Sequence, residues 1–156
     1  MAGKRLDLEH GEQVALVQWA DYQLIPILHP QVNHGLTVGG SNRLGDYLFS
    51  VPNGARMAIN TAKKMKAEGL RSGVPDLMLA IPVDQHCGLF IEMKKGREHF
   101  KGQAAAKSAV SENQKTWMAR LRSQGYYCVV CYGFDEAKTA IQEYILGGGK
   151  DKTSDG

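Results

Sequence analysis

Three residues combine types and spacing that could do chemistry: Asp76 in "GVPDLML", and Glu92 and Lys94 in "GLFIEMKK". Asp76 heads one apolar run, and Glu92 and Lys94 close the next. A charge carried into a sheet without a partner or a metal is costly, so such residues need an explanation. If the two runs form a hairpin centred near Asp84–Gln85, the numbers of facing residues sum to about 168–170. Asp76 then lies opposite Glu92 or Lys94. Side chains two apart on a strand share a face, so all three can converge at one end of the hairpin. Two carboxylates beside a lysine suit a hard cation with oxygen ligands, Mg²⁺ or Mn²⁺. The lysine could orient the attacking water or meet negative charge on a phosphate. The plainer alternative is a turn at Asp76 and an exposed charged pair at a strand end. Glu92 argues against it, because it interrupts an apolar run between Ile91 and Met93.

These residues need a sheet to hold them, and the remaining pattern supplies one. Residues 8–22 read as a helix with Leu16, Trp19 and Ala20 on one side, although Gly11 weakens its first turn. Residues 29–46 are rich in Gly, Asn and His and read as a long flexible loop. "YLFSVPN" (47–53) reads as a strand, and 55–68 as a helix stopped by Gly69. "DLMLAI" and "GLFIEMK" are strands joined through "PVDQHC". "SENQKTWMARLRSQG" is a helix closed by Gly125, "YYCVVCY" a strand, and 134–146 a last helix with Ala137, Ala140, Ile141, Tyr144 and Ile145 inward. The polar, glycine-rich tail 147–156 is expected to be disordered. The order predicts one α/β domain over residues 1–146, with a mixed sheet whose middle strands are covered on both faces.

Composition narrows the function classes. The chain has 156 residues, 43% hydrophobic and 22% charged, which is ordinary for a globular domain with a real core. No apolar run approaches the roughly 18 residues that span a bilayer, and the start lacks a signal-peptide core, so a cytoplasmic protein is expected. Cys128 and Cys131 have C-x-x-C spacing, but on a strand they face opposite sides and suit neither zinc nor a bridge. The five histidines are scattered and form no ligand set. No Walker loop, nucleophile elbow or dinucleotide fingerprint is present. The net charge of +3 is mild, but its distribution is uneven. Arg56, Lys63, Lys64, Lys66 and Arg71 face only Glu68 in one segment. Lys94, Lys95, Arg97, Lys101 and Lys107 face only Glu98 in another. Such segments flanking the carboxylates could attract a polyanion such as DNA, with solvated surface as the plainer reading.

The ordered set "EHGEQVALVQWA", "VPNGAR", "GVPDLML", "IEMKK", "SENQ" and "YYCVVCYGFDEA" resembles the virus-type replication-repair nuclease (VRR-NUC) domain of the PD-(D/E)xK nuclease superfamily. A bare PD…ExK is a weak signal; the whole set in this order is a strong one. The resemblance covers most of the chain outside the 29–46 loop and the tail. It implies a restriction-endonuclease-like core with a mixed central sheet flanked by helices.

The resemblance also implies residue roles. Asp76 and Glu92 match the metal-binding carboxylates, with the Met93 carbonyl a further ligand, and Lys94 matches the catalytic lysine. Gln114 matches a glutamine near the active site. Ser111-x-x-Gln114 is equally a helix capping box, yet Gln114 shares the inward line of Trp117, Met118 and Leu121. The family's first helix contributes a glutamate to the metal. Glu9 and Glu12 share a face, and Glu12 is preferred as lying one turn before Leu16. Asn53, with Gly54, matches a family turn, for which turn formation is the favoured role and substrate contact the sharper one. With Arg56, Lys63, Lys64, Arg71 and Lys95 it completes the candidate DNA-contacting set.

The function so implied is a Mg²⁺- or Mn²⁺-dependent endonuclease in a bacterial or phage-infected cell. The expected substrate is branched DNA, Holliday junctions foremost. A single small domain carries one site, so paired cuts require a twofold homodimer. The rivals are a nuclease of flaps, ends or single strands, a non-catalytic DNA-binding module, and a plain structural domain.

Overall fold

The computed structural model describes residues 7–25, 41–53 and 57–147. Gly54, Arg56, His29, His34, most of the 29–46 segment and residues 148–156 of the tail lie outside these residues.

The elements in chain order are α1 (Leu8–Tyr22), β1 (Leu48–Ser50), α2 (Ile59–Ala67), β2 (Leu77–Leu79), β3 (Leu89–Lys94), α3 (Gln103–Ser108), α4 (Glu112–Ser123), β4 (Tyr127–Tyr132) and α5 (Phe134–Ile145). The sheet runs β1-β2-β3-β4. β1–β2 and β2–β3 are antiparallel, and β3–β4 is parallel. The result is the α/β arrangement expected from the sequence, among the described residues a mixed four-stranded sheet flanked by five α-helices. The β2–β3 register pairs Leu77 with Ile91 and Leu79 with Leu89, within the predicted range. Val83 and His86 bridge around Asp84–Gln85, and Asp84 takes φ 51° to close the turn. Gly69 and Gly125, the predicted stops of two helices, both have positive φ.

β3 is buried along its whole length because both faces are covered. Leu89, Ile91 and Met93 join Leu16 and Ala20 of α1 and Ala137, Ile141, Tyr144 and Ile145 of α5 in the larger core. Phe90 faces the other way, onto Val110, Met118 and Cys128. Period-two alternation therefore sends Glu92 and Lys94 to the Phe90 side, under α4. Cys128 and Cys131 fall in opposite cores, as strand geometry requires, and burial pushes their thiols up to about 11 and about 12.

Two parts differ from the sequence reading. Residues 41–46 are not loop in character: Ile25 N–H donates to Asn42 O (2.7 Å), Leu44 N–H donates to Gln23 O (2.9 Å), and Leu44 is buried in the core. The apolar Leu44, within a polar stretch, is what anchors them. α3 was not expected; its six residues are too few for a periodic pattern, and Gly102 precedes it. Buried Ala106 and a bond from Tyr132 Oη to Ala106 O (2.8 Å) hold it in place.

Tyr144 ties the last helix to the β2–β3 connection: it is 1% exposed and its hydroxyl donates to Ile81 O at 2.7 Å. Tyr144→Phe leaves that carbonyl without its donor and is predicted to cost about 1–2 kcal/mol in urea unfolding. A loss below about 0.3 kcal/mol would show that the bond adds nothing.

Candidate active site

The site forms where the β2–β3 ladder ends. Leu77–Ile91 is the last paired position, so Asp76 is the first residue of β2's leader without a strand partner. Three bonds hold it there. Its carbonyl accepts from Val51 N–H (2.8 Å), Oδ2 accepts from Met93 N–H (2.8 Å), and Oδ1 accepts from Asn53 Nδ2 (3.1 Å). Asn53 therefore orients a carboxylate, a role its turn sequence did not announce. Met93 turns its N–H toward Asp76, and in a strand its carbonyl lies on that same edge.

Glu92 is 1% exposed and Lys94 7%. Lys94 Nζ donates to Glu92 Oε1 (3.1 Å) and to Gln114 Oε1 (3.3 Å), and Gln114 Nε2 donates to the same Glu92 oxygen (2.6 Å). Gln114 is at once the capping-box residue of α4. Its Oε1 accepts from Ser111 N–H (2.9 Å), and its own N–H donates to Ser111 Oγ (3.2 Å). The two readings of Gln114 are thus one arrangement. Two donors converge on Oε1, which turns Nε2 toward Glu92. Both donors to Glu92 fall on Oε1. Glu92 Oε2 is buried with no hydrogen-bond partner among the described residues.

The electrostatics follow from that imbalance. Burial, then repulsion from Asp76, pushes the Glu92 carboxyl up to about 7; Glu9 adds to the rise and Lys94 opposes it. Burial likewise raises Asp76, against the Met93 N–H and Lys94, and its carboxyl can share a hydrogen bond with Glu92. One proton thus relieves the pair. A divalent cation relieves the same repulsion and supplies the unpartnered Oε2 with a counter-charge, so the donor set fits Mg²⁺ or Mn²⁺. Among the described residues, Asp76 and Glu92 are a pair and no third carboxylate, imidazole or thiol completes a ready cage.

The two candidate glutamates of α1 part company. Glu12 Oε2 accepts from Phe134 N–H (2.6 Å), capping the start of α5. Glu9 lines a cleft of about 430 Å³ with His10, Asn53 and Asp76, and its charge reaches Glu92. The sequence preferred Glu12 as the ligand from α1; the structure engages Glu12 with Phe134 and sets Glu9 beside Asp76 in the cleft. Inward periodicity shows which residues approach the core, but not which element each will meet.

The candidate DNA-contacting residues are less concentrated. Lys63 and Lys64 are exposed on α2, a helix with no buried residue. Arg71 donates to Lys66 O and Leu70 O, near the end of that helix. Lys95 is half-buried with Nζ 4.6 Å from the centre of the Phe100 ring.

Comparison with known proteins agrees with this architecture. Residues 9–135 match the VRR-NUC domain, and the chain belongs to that family, a family of nucleases acting on DNA. A solved structure described as a VRR_NUC domain protein is similar to it, with a TM-score of 0.65 and 26% identity over 95% of this chain and 96% of the other. A comparison with curated proteins finds no match.

Folding raises the Glu92 pKa from its ordinary 4.5 to about 7, so between those values the folded state holds the extra proton. Without added cation, stability is therefore predicted to fall as pH rises from about 4.5 through about 7, by on the order of 3 kcal/mol. Urea unfolding in a chelator across that range checks this, and Glu92→Gln should flatten the profile. A slope unchanged in the variant would place the titration elsewhere.

Proposed function

We propose that the protein is a Mg²⁺-dependent, structure-specific DNA endonuclease that acts on branched DNA, Holliday junctions foremost, as a twofold homodimer. The buried, unpartnered Oε2 of Glu92 beside Asp76 carries this reading. A structural ion pair would bond both oxygens of a buried carboxylate; here one is left over where a cation fits.

Asp76 and Glu92 would hold Mg²⁺ or Mn²⁺ with the Met93 carbonyl, and Glu9 would be the ligand from α1. When bound, the ion supplies Lewis-acid stabilisation of charge on the phosphoryl and leaving oxygens. Lys94 Nζ, braced by Glu92 and Gln114, orients the attacking water and meets the charge that builds on the phosphate. Asn53 and Met93 N–H keep Asp76 turned toward the cleft. Hydrolysis leaves a 5′ phosphate and a 3′ hydroxyl. Lys63, Lys64, Arg71 and Lys95, with Arg56, would contact the DNA backbone.

The homodimer follows from stoichiometry: one site per domain cuts one strand, and paired cuts across a junction need two. Among the described residues, no helix is long and apolar enough to cross a membrane. A cytoplasmic setting, where DNA is found, accords with the proposal.

The test is incubation with Mg²⁺ and labelled four-way junction, flap and linear duplex, beside Asp76→Ala. Paired nicks in the junction, lost by at least about 100-fold in the variant, are expected. Cleavage of flaps or ends alone would keep the nuclease and discard junction resolution. DNA binding without cleavage in Mg²⁺ or Mn²⁺ would overturn the catalytic assignment.

A further inference from the structure

The leader of β2 raises a question that the bonds at Asp76 do not answer. Asp76 lies beyond the end of the β2–β3 ladder, whereas Glu92 is held by its pairing with Val130 of β4, so the pairing that fixes Glu92 does not extend to the chain entering Asp76. Upstream, that chain comes from the Ser72–Gly73 turn. Asn113 Nδ2 donates to Ser72 O (2.8 Å) and to Ser72 Oγ (3.2 Å), across 41 positions of sequence. The fit is close: Gly73 has φ +90°, and a Cβ there would stand 2.7 Å from Asn113 Nδ2 and 3.0 Å from its backbone carbon. Only Val74 separates this turn from Pro75, which is fully buried and has a fixed φ. The clamped turn is therefore joined to Asp76 by a short, stiff lever.

The neighbouring residue on the same turn of α4 is Gln114, whose amide holds Glu92 and Lys94. One helical turn thus touches both halves of the site. Asn113 reaches the leader of Asp76, and Gln114 reaches the carboxylate and lysine of β3. We propose that Asn113 is a positioning residue that sets the separation of Asp76 and Glu92 by tying the Ser72–Gly73 turn to α4; this rests on the nuclease reading above. The side chain is exposed and fills no part of the core. Its removal is expected to disturb alignment more than stability, since reacting groups lose rate steeply with displacements of about 1 Å.

Calorimetric Mn²⁺ titration, cleavage kinetics and melting temperature, measured on wild type and three variants, test this. Asn113→Ala and Asn113→Asp both remove the donor. Each is expected to weaken Mn²⁺ binding and lower kcat by about 10-fold. KM for DNA should stay within about 2-fold and Tm within about 2 °C. Ser72→Ala removes only the longer contact, so it should change either quantity by less than about 2-fold. Wild-type Mn²⁺ affinity and kcat in Asn113→Ala would overturn the inference. So would a loss matched by a falling Tm, the mark of a merely structural contact. A wild-type protein that neither binds Mn²⁺ nor cuts DNA would instead fail the nuclease reading, and the inference with it.

Discussion

A carboxylate on the middle of a covered sheet sets the terms for much of this molecule. Glu92 has 1% of its surface exposed on a strand whose other residues are also buried. Uncompensated, an ionised carboxylate there would cost several kcal/mol. The fold answers with two donors on one oxygen: Lys94, two residues along on the same face, and Gln114, from the first turn of α4. The other oxygen is left without a donor beside a second carboxylate. The two carboxylates exceed the one lysine by a single negative charge, which a proton relieves and which, under the proposed function, a divalent cation would take up. Rigidity follows from the same placement, because a strand buried on both faces cannot shift its side chains without disturbing two cores.

The surrounding elements divide the remaining work. α4 caps itself with Ser111 and Gln114 and uses the same amide to orient the site, so stability and positioning draw on one hydrogen-bond set. α1 meets the far core through Leu16 and Ala20, carries Glu9 toward the cleft, and joins the start of α5 through Glu12. The match to the VRR-NUC family over residues 9–135 takes in Glu9, Glu12, Asp76, Glu92 and α4. The family likeness establishes a nuclease; substrate geometry rests on the proposal.

What could be read in the sequence was local or periodic. The β2–β3 register followed from two apolar runs about a short turn, and it brought Asp76 to Glu92 before any coordinates. Opposite faces for Cys128 and Cys131 followed from strand geometry alone. Long-range partners were not legible. Asn53 and Asn113 look like turn and surface residues until the chain brings Asp76 and Ser72 to them. Glu9 and Glu12 share a helix face, and spacing from Leu16 favoured Glu12; that Glu12 meets the start of α5 depends on a long-range contact no local pattern carries. α3 escaped because six residues, three of them alanine, present no period to detect.

The most direct measurement is calorimetric titration of Mg²⁺ at pH 7 in two buffers of different ionisation enthalpy, on wild type and Glu92→Gln. If the cation takes the place of the proton that relieves Asp76 and Glu92, binding to wild type releases a fraction of a proton. The observed heat then differs between buffers. Affinity in the variant should fall at least about 10-fold, with the buffer dependence gone. Equal affinity in the two proteins, or no binding to wild type, would contradict the assignment of this carboxylate pair as a cation site.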